Sequence, residues 1–434
     1  MESAAMIEDI SSRPTPMSAK AIGAATVGNL LEIYDFIAYG MFAVPISKAF
    51  FPAENEYVAL ILTFVTFGMG FLARPLGAFV IGAWADRHGR KGALSVTILM
   101  MAGGTAVIAI CPTYRSIGLA APILVTLGRI LQGFSAGGEV GGALATLIEN
   151  APPRRRGFYA ALQQMSQGCA VMATGIVGVV MTQLFSQDEI MNGAWRIAFL
   201  IGLLIAPVGF YIRTRVAETP EFLLIEKKAH ESRIWRIVID NLWPIILGIL
   251  IMVLWTIATY VSNYFTTYAV REIHLSLQQS YIGQISYGIT MLIVCPLSGR
   301  LSDSIGRLRC LLFGAIGIGV VAYPTFWYLI HTSTLASLCI AQIVIAIFLA
   351  LYASTASTVL GELFPTAVRA TGVSLSYSFG VTIFGGFTPV LVTALLGYTG
   401  DKLSIAYYLI GAALFSAIPI ILMQRRISRE RHAQ

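Results

Sequence analysis

Charge is what this chain lacks. Only 12% of its 434 residues are Asp, Glu, Lys or Arg, while 56% are hydrophobic; soluble domains carry roughly 25% charged residues. So few charges cannot cover a soluble protein of this size, and so much apolar sequence excludes disorder. Cysteine is scarce too: Cys111, Cys169, Cys295, Cys310 and Cys339 stand apart with no CxxC pair. That argues against a disulfide framework or a metal site and reads as small packing residues. The five histidines (His88, His230, His274, His331, His432) fall in loops or the tail, so no histidine relay through a bilayer is expected. HExxH and P-loop patterns are missing, and the GxSxG match Gly133-Phe-Ser135-Ala-Gly137 lies, like the paired glycines Gly137-Gly138 and Gly141-Gly142, within an apolar run that follows no strand. An enzyme, a metal and a cofactor are therefore not expected. Residues 1–20 contain Glu2, Glu8 and Asp9 and no apolar signal core, so the first hydrophobic run is expected to act as a retained membrane helix.

Apolar runs are what the chain has in abundance. Segments of about 20 apolar residues cross a bilayer as helices, and twelve are read here. Six lie at 21–47, 57–85, 93–111, 121–148, 158–184 and 195–213, and six at 241–268, 279–300, 309–330, 335–362, 369–396 and 403–424. The fold class is all-α membrane protein, since a β-barrel would show about ten-residue alternating strands. A polar stretch, 214–240, separates two six-helix halves (21–213 and 241–424), flanked by tails 1–20 and 425–434.

The 29 basic residues exceed the 22 acidic ones by seven, which on a soluble protein would raise the question of nucleic acid. Here 22 of the basic residues fall in loops of one side and in the tails, while five (Lys48, Arg115, Arg196, Arg271, Lys402) fall on the other. The asymmetry sets topology, with both termini expected in the cytoplasm, and says nothing of nucleic acid.

The halves repeat one another. Gly82-Ala-Trp-Ala-Asp86-Arg87-His-Gly-Arg90-Lys91 recurs as Gly299-Arg-Leu-Ser-Asp303-Ser-Ile-Gly-Arg307-Leu308, and Glu149 with Arg156 recurs as Glu362 with Arg369. Internal repeats of this kind are a transporter feature. A basic hairpin serving topology alone would explain the first loop; the recurrence points instead to an ion-pair latch that breaks as the halves rock.

Ionisable groups at bilayer depth are costly and mark function by default. Five are read inside the spans, all in the first half: Glu32, Asp35, Arg74, Arg129 and Glu139. Glu32 and Asp35 stand three residues apart on one face of a helix. Arg129, Gln132, Ala136 and Glu139 make a stripe on the fourth span, beside a seam of Gly133, Gly137 and Gly141. Arg129 is placed to meet Asp35. Such a pair suits proton coupling, because a proton on Asp35 would free Arg129 for a substrate carboxylate; a static ion pair is the alternative. Glu32 and Glu139 are read as helpers to Asp35 or as hydrogen-bonded packing residues. Arg74 either lines the substrate site or ties down carbonyls beside Pro75. The second half offers neutral groups, Asn263, Tyr264, Tyr352, Tyr377 and Ser378, which with Tyr34, Gln163 and Gln167 of the first half are candidates to orient a ligand. Each could equally be a packing residue.

The loop 82–91 matches the signature of the major facilitator superfamily, and three further stretches resemble its metabolite:proton symporter family. They are Gly28-Asn-Leu-Leu-Glu32-Ile-Tyr-Asp35-Phe36, Phe71-Leu-Ala-Arg74-Pro-Leu-Gly-Ala78 and Gly128-Arg129-Ile-Leu-Gln132-Gly-Phe-Ser-Ala-Gly-Gly-Glu139. Glu218-Thr-Pro-Glu-Phe222 and Glu362-Leu-Phe-Pro fit as well, so the resemblance covers nearly the whole chain. It implies two pseudo-symmetric six-helix bundles, alternating access and an acid–arginine pair on the first and fourth helices, as in related sugar porters. Ser374-Leu-Ser-Tyr377-Ser-Phe, Phe384-Gly-Gly-Phe-Thr-Pro389 and Tyr398-Thr-Gly-Asp-Lys402 look most like the citrate and tricarballylate branch. The resemblance thus implies a symporter of protons and a small organic acid, acting as a monomer in a bacterial inner membrane. Carriers of 2-oxoglutarate, shikimate or proline/betaine remain the alternatives.

Overall fold

The computed structural model describes residues 19–88, 90–137, 139–149, 151–203, 207, 239–365 and 368–432. They form helices joined by short connections. We number them α1 (Ala19–Met41, continued as Ala43–Phe50), α2 (Glu56–His88), α3 (Arg90–Ile110), α4 (Ala120–Ala136, continued as Glu139–Glu149), α5 (Arg156–Leu184) and α6 (196–203). The second half supplies α7 (Leu242–Arg271), α8 (Leu277–Ile305), α9 (Arg307–Thr332), α10 (Leu335–Glu362), α11 (Arg369–Gly380, then a π turn Val381–Gly385, then Thr388–Thr399) and α12 (Ser404–His432). Eight stretches among them are long and apolar enough to cross a membrane. Helices are the form such sequences take in lipid, because each N–H and C=O must find its partner within the segment. Local signals set the ends. Ser276 with Gln279 and Thr334 with Ser337 form capping boxes at the starts of α8 and α10. Gly306, at φ 100°, turns the chain from α8 into α9 where a side chain would be strained.

The molecule is apolar outside and charged within. Leu76, Leu99, Val320 and Leu414 are each at least 65% exposed, whereas Arg74 is 1% and Arg129 0% exposed. This is the arrangement of an integral membrane protein. Two glycine seams set the packing, and the first places those arginines. A Cβ on Gly133 would collide with the Gly70 carbonyl, one on Gly137 with the Arg74 carbonyl, and one on Gly77 with the Phe134 carbonyl. The backbones of α2 and α4 therefore touch, as small-residue seams allow. The second seam joins the halves: a Cβ on Gly288 of α8 would press on the Gly168 carbonyl of α5, and one on Gly299 on the Gly157 carbonyl.

Gly133→Val should force α2 from α4 and destabilise the protein by about 3 kcal/mol or more, the upper range for overpacking. Melting in detergent measures it, with Gly40→Ala as the neutral control, since a Cβ there meets nothing within 4 Å.

Candidate functional site

The buried acid and arginine of the first half are joined through two neutral side chains. Asp35 of α1 is 5% exposed and Arg129 of α4 fully buried, yet no direct ion pair links them. The Arg129 guanidinium donates to Gln132 Oε1 at 2.8 Å. Gln132 Nε2 donates to Thr105 Oγ1 at 2.8 Å, and the Thr105 hydroxyl donates to Asp35 Oδ2. The expected direct contact is thus replaced by a three-bond relay, because α3 inserts Thr105 between α1 and α4. Asp35 Oδ1 makes no hydrogen bond. It lies so close to α6 that a Cβ on Gly202 would collide with it.

Both arginines are held mainly by aromatic faces. Phe36 lies between them, 4.5 Å from Arg74 Cζ and 4.7 Å from Arg129 Cζ. Phe71 covers Arg74 at 4.4 Å, and Tyr39 and Phe67 cover Arg129 at 4.5 and 5.0 Å. Each such contact contributes roughly 0.5–2 kcal/mol when desolvated, which keeps a guanidinium buried without neutralising it. Nε and one terminal nitrogen of each arginine remain without a hydrogen-bond partner. Both are donors in waiting for an anion.

Arg74 faces the second half. The Tyr377 hydroxyl of α11 has Arg74, Glu32 of α1 and Gln167 of α5 as polar neighbours, and Tyr260 of α7 lies within electrostatic reach of both arginines. Gln163 is 2% exposed with neither end of its amide hydrogen-bonded, and Gln167 Nε2 is likewise unpartnered. Asn263 Oδ1 is unpartnered too, and Ser378 is buried. Asn29 donates to Ser166 at 2.6 Å, fastening α1 to α5 beside this cluster. Glu32 and Asp35 do not share a destination. Three residues of helix leave about 60° between side chains, enough to send Glu32 toward α11 and Asp35 toward α3.

Two expected ligand groups are used elsewhere. The Tyr34 hydroxyl donates to the Ala198 carbonyl of α6 at 3.0 Å, and the Tyr352 hydroxyl to the Ile251 carbonyl of α7 at 2.9 Å. Each is spent holding helices of its own half together, which removes it from the substrate set. Tyr264 accepts from Thr393 at 3.1 Å and packs its ring on Phe64 of α2 at 5.5 Å, placing it in a contact between the halves. The side chains of Glu139, Asp86, Arg87 and Arg90 lie outside the described residues, as does the linker core 208–238.

The halves are joined at both ends. At the basic end, Glu149 pairs with Arg369 at 3.1 Å, and Arg369 also donates to the Gly361 carbonyl. Asp303 accepts from the backbone N–H of Gly157 and Phe158 at 2.9 and 3.0 Å while pairing with Arg307 at 2.7 Å, and Arg307 reaches Glu362 at 3.1 Å. Partners are therefore exchanged relative to the sequence repeat: Glu149 bonds Arg369 rather than Arg156, because the two loops meet across the interface. Deeper, Gln164 donates to Ser357 at 3.1 Å. At the opposite end Arg271 pairs with Glu56, and the Tyr57 hydroxyl donates to Glu272 at 2.9 Å. Between these, Phe67 and Phe71 pack edge-on to Tyr260, and Thr382, in the π turn of α11, donates to the Phe71 carbonyl at 2.7 Å.

Among the described residues Asp303 carries the strongest of the basic-end contacts, since Glu149 is too exposed for its pair to contribute more than about 1 kcal/mol. Asp303→Asn should open this end, seen as several-fold faster maleimide labelling of a Ser357→Cys reporter, at the cost of roughly 1.5–3 kcal/mol of charge-assisted hydrogen bonding.

Known proteins resemble this chain in sequence and in fold. The "Sugar (and other) transporter" pattern matches residues 20–236 and the "Major Facilitator Superfamily" pattern residues 263–434. The chain is 38% identical over 412 residues to the citrate-proton symporter of Salmonella typhi, covering 94% of each. It is 36% identical to that of Klebsiella pneumoniae, covering 96% of each. The proline/betaine transporter of Salmonella typhimurium is 32% identical, with 94% of this chain and 84% of that one covered. Among solved structures, the proton:xylose symporter XylE aligns with a TM-score of 0.76 at 14% identity, over 93% of this chain and 94% of the other.

Proposed function

We propose that this chain, which belongs to the major facilitator superfamily, is a proton-coupled symporter that imports a small organic anion, a tricarboxylate such as citrate, by alternating access. The observation that carries the reading is Arg74, buried between the halves with two unpartnered nitrogens, beside a relay that ties Arg129 to Asp35. Arg74, with Tyr377 and Gln167 beside it and Gln163, Ser378 and Asn263 as further candidate ligands, receives the carboxylates. Asp35 takes the coupling proton, and its neutralisation loosens Arg129, which then adds a second positive group. Glu32 and Glu139 are the helpers: counted on the sequence, three intramembrane acids against two arginines give one net negative charge if all ionise, so an anion binds better after a proton has entered. This is a physical reason for symport. The relatives named as citrate-proton symporters support the substrate class.

A zwitterion such as betaine is the other reading. A quaternary ammonium needs an aromatic cage, but the faces of Phe36, Phe71, Tyr39 and Phe67 already cover arginines, which favours the anion. Asp86, Arg87, Arg90, Glu149, Arg156, Asp303, Arg307, Glu362 and Arg369 form the cytoplasmic gate. Both termini face the cytoplasm of a bacterial inner membrane, and the monomer is the working unit.

The test is uptake of labelled citrate into proteoliposomes under an inward proton gradient, with tricarballylate, 2-oxoglutarate, shikimate and proline as competitors. Competition by tricarballylate and none by proline is the expected result; the reverse order would overturn the substrate class.

A further inference from the structure

We infer that Thr105 is the positioning residue that converts protonation of Asp35 into release of Arg129, its hydroxyl hydrogen moving between two acceptors already in place. The inference rests on the coupling role given to Asp35 and adds the part that links acid to arginine.

The Thr105 hydroxyl has one hydrogen and two lone pairs. In the structure it is in reach of two acceptors, Asp35 Oδ2 and the Met101 carbonyl one turn back on α3, the latter at 3.0 Å. It accepts from Gln132 at the same time. With Asp35 ionised, every donor in the chain points one way: Arg129 N–H to Gln132 oxygen, Gln132 N–H to Thr105 oxygen, Thr105 O–H to the carboxylate. A chain that starts on a cation and ends on an anion polarises each of its bonds in the same sense and strengthens them together. A proton bound at Asp35 Oδ2 reverses the last bond. The new O–H donates to Thr105, the Thr105 hydrogen turns to the Met101 carbonyl, and the hydroxyl still accepts from Gln132. No proton leaves Thr105, and none is lost or gained beyond the one that arrived. The chain no longer ends on a charge, its bonds weaken, and the guanidinium is free to turn to a substrate.

The surroundings leave this route as the polar connection to Asp35 among the described residues. From its own helix come Tyr34, whose hydroxyl is held by Ala198, and Tyr39, whose ring covers Arg129. From α4 come Arg129 and Gln132, and from α6 the backbone at Gly202. Arg74 of α2 stands beyond Phe36, and Tyr260 of α7 beyond Arg129. Glu32 faces Tyr377.

Thr105→Val keeps the shape and removes the hydroxyl; Thr105→Ser restores it. In proteoliposomes the ratio of gradient-driven accumulation to counterflow should fall about tenfold or more in Thr105→Val, the size expected for one lost bond to a charged group. Its uptake should also lose the wild-type pH profile, with both recovered in Thr105→Ser. Should Thr105→Val not fold, Gln132→Met interrupts the same chain one bond away and should flatten the profile alike. A wild-type ratio and pH profile in the folded valine or methionine variant, while Asp35→Asn is uncoupled, would overturn the role of Thr105 alone. Wild-type coupling in Asp35→Asn would overturn the reading beneath it.

Discussion

Asp35→Asn should reduce citrate accumulation under a proton gradient to what the citrate gradient alone supports. A gradient of about one pH unit supplies about 1.4 kcal/mol per coupled proton, or tenfold accumulation, and the variant should retain none of it. The substitution is mild in shape. An asparagine oxygen still accepts from Thr105, so α1, α3 and α4 stay fastened and exchange of internal for external citrate should persist. What is lost is the titrating charge at the end of the relay. A glutamate at the same place keeps the charge but is longer by one methylene. With the Gly202 backbone already against Oδ1, it should recover coupling only in part.

The second large effect concerns affinity. Arg74→Gln should raise the KM for citrate on the order of 10²-fold, within the 2–5 kcal/mol lost when one partner of a buried charge pair is truncated. Lysine in its place should restore little, because a point charge does not reproduce the planar fork that meets a carboxylate with two bonds. Arg74 is also packed on Phe36 and Phe71, so the melting temperature must be read beside KM. A large change in KM with a small change in melting assigns Arg74 to the substrate; equal losses in both would make it a packing residue.

Much of this was legible from residues alone, and what was not had a physical cause. Spans are legible because lipid demands long apolar helices, and the buried Glu32, Asp35, Arg74 and Arg129 stand out because each charge is expensive there. The connections between them are not. Thr105 looks like any membrane threonine that returns its hydroxyl to the carbonyl one turn back, as Thr63, Thr126 and Thr174 do. Thr105 makes that bond too, and only the approach of α1 gives it a second partner. The one clue was Gln132, an amide one turn from Arg129 at bilayer depth. Tyr34 and Tyr352 mislead for the converse reason: a tyrosine hydroxyl in a span serves a ligand or a neighbouring carbonyl equally well, and tertiary packing decides. The exchanged gate partners, Glu149 with Arg369 and Glu362 with Arg307, depend on which loops meet, and a repeat within each half carries no record of that.

The central claim is that substrate and proton enter together through Asp35. It is tested most directly by proteoliposomes enclosing a pH-sensitive dye, with citrate added outside and no gradient imposed. Wild-type protein should acidify the lumen as citrate enters, and Asp35→Asn should leave the lumen unacidified. Citrate entry through the wild-type protein with no accompanying proton, or acidification by the Asp35→Asn protein equal to the wild type, would contradict it.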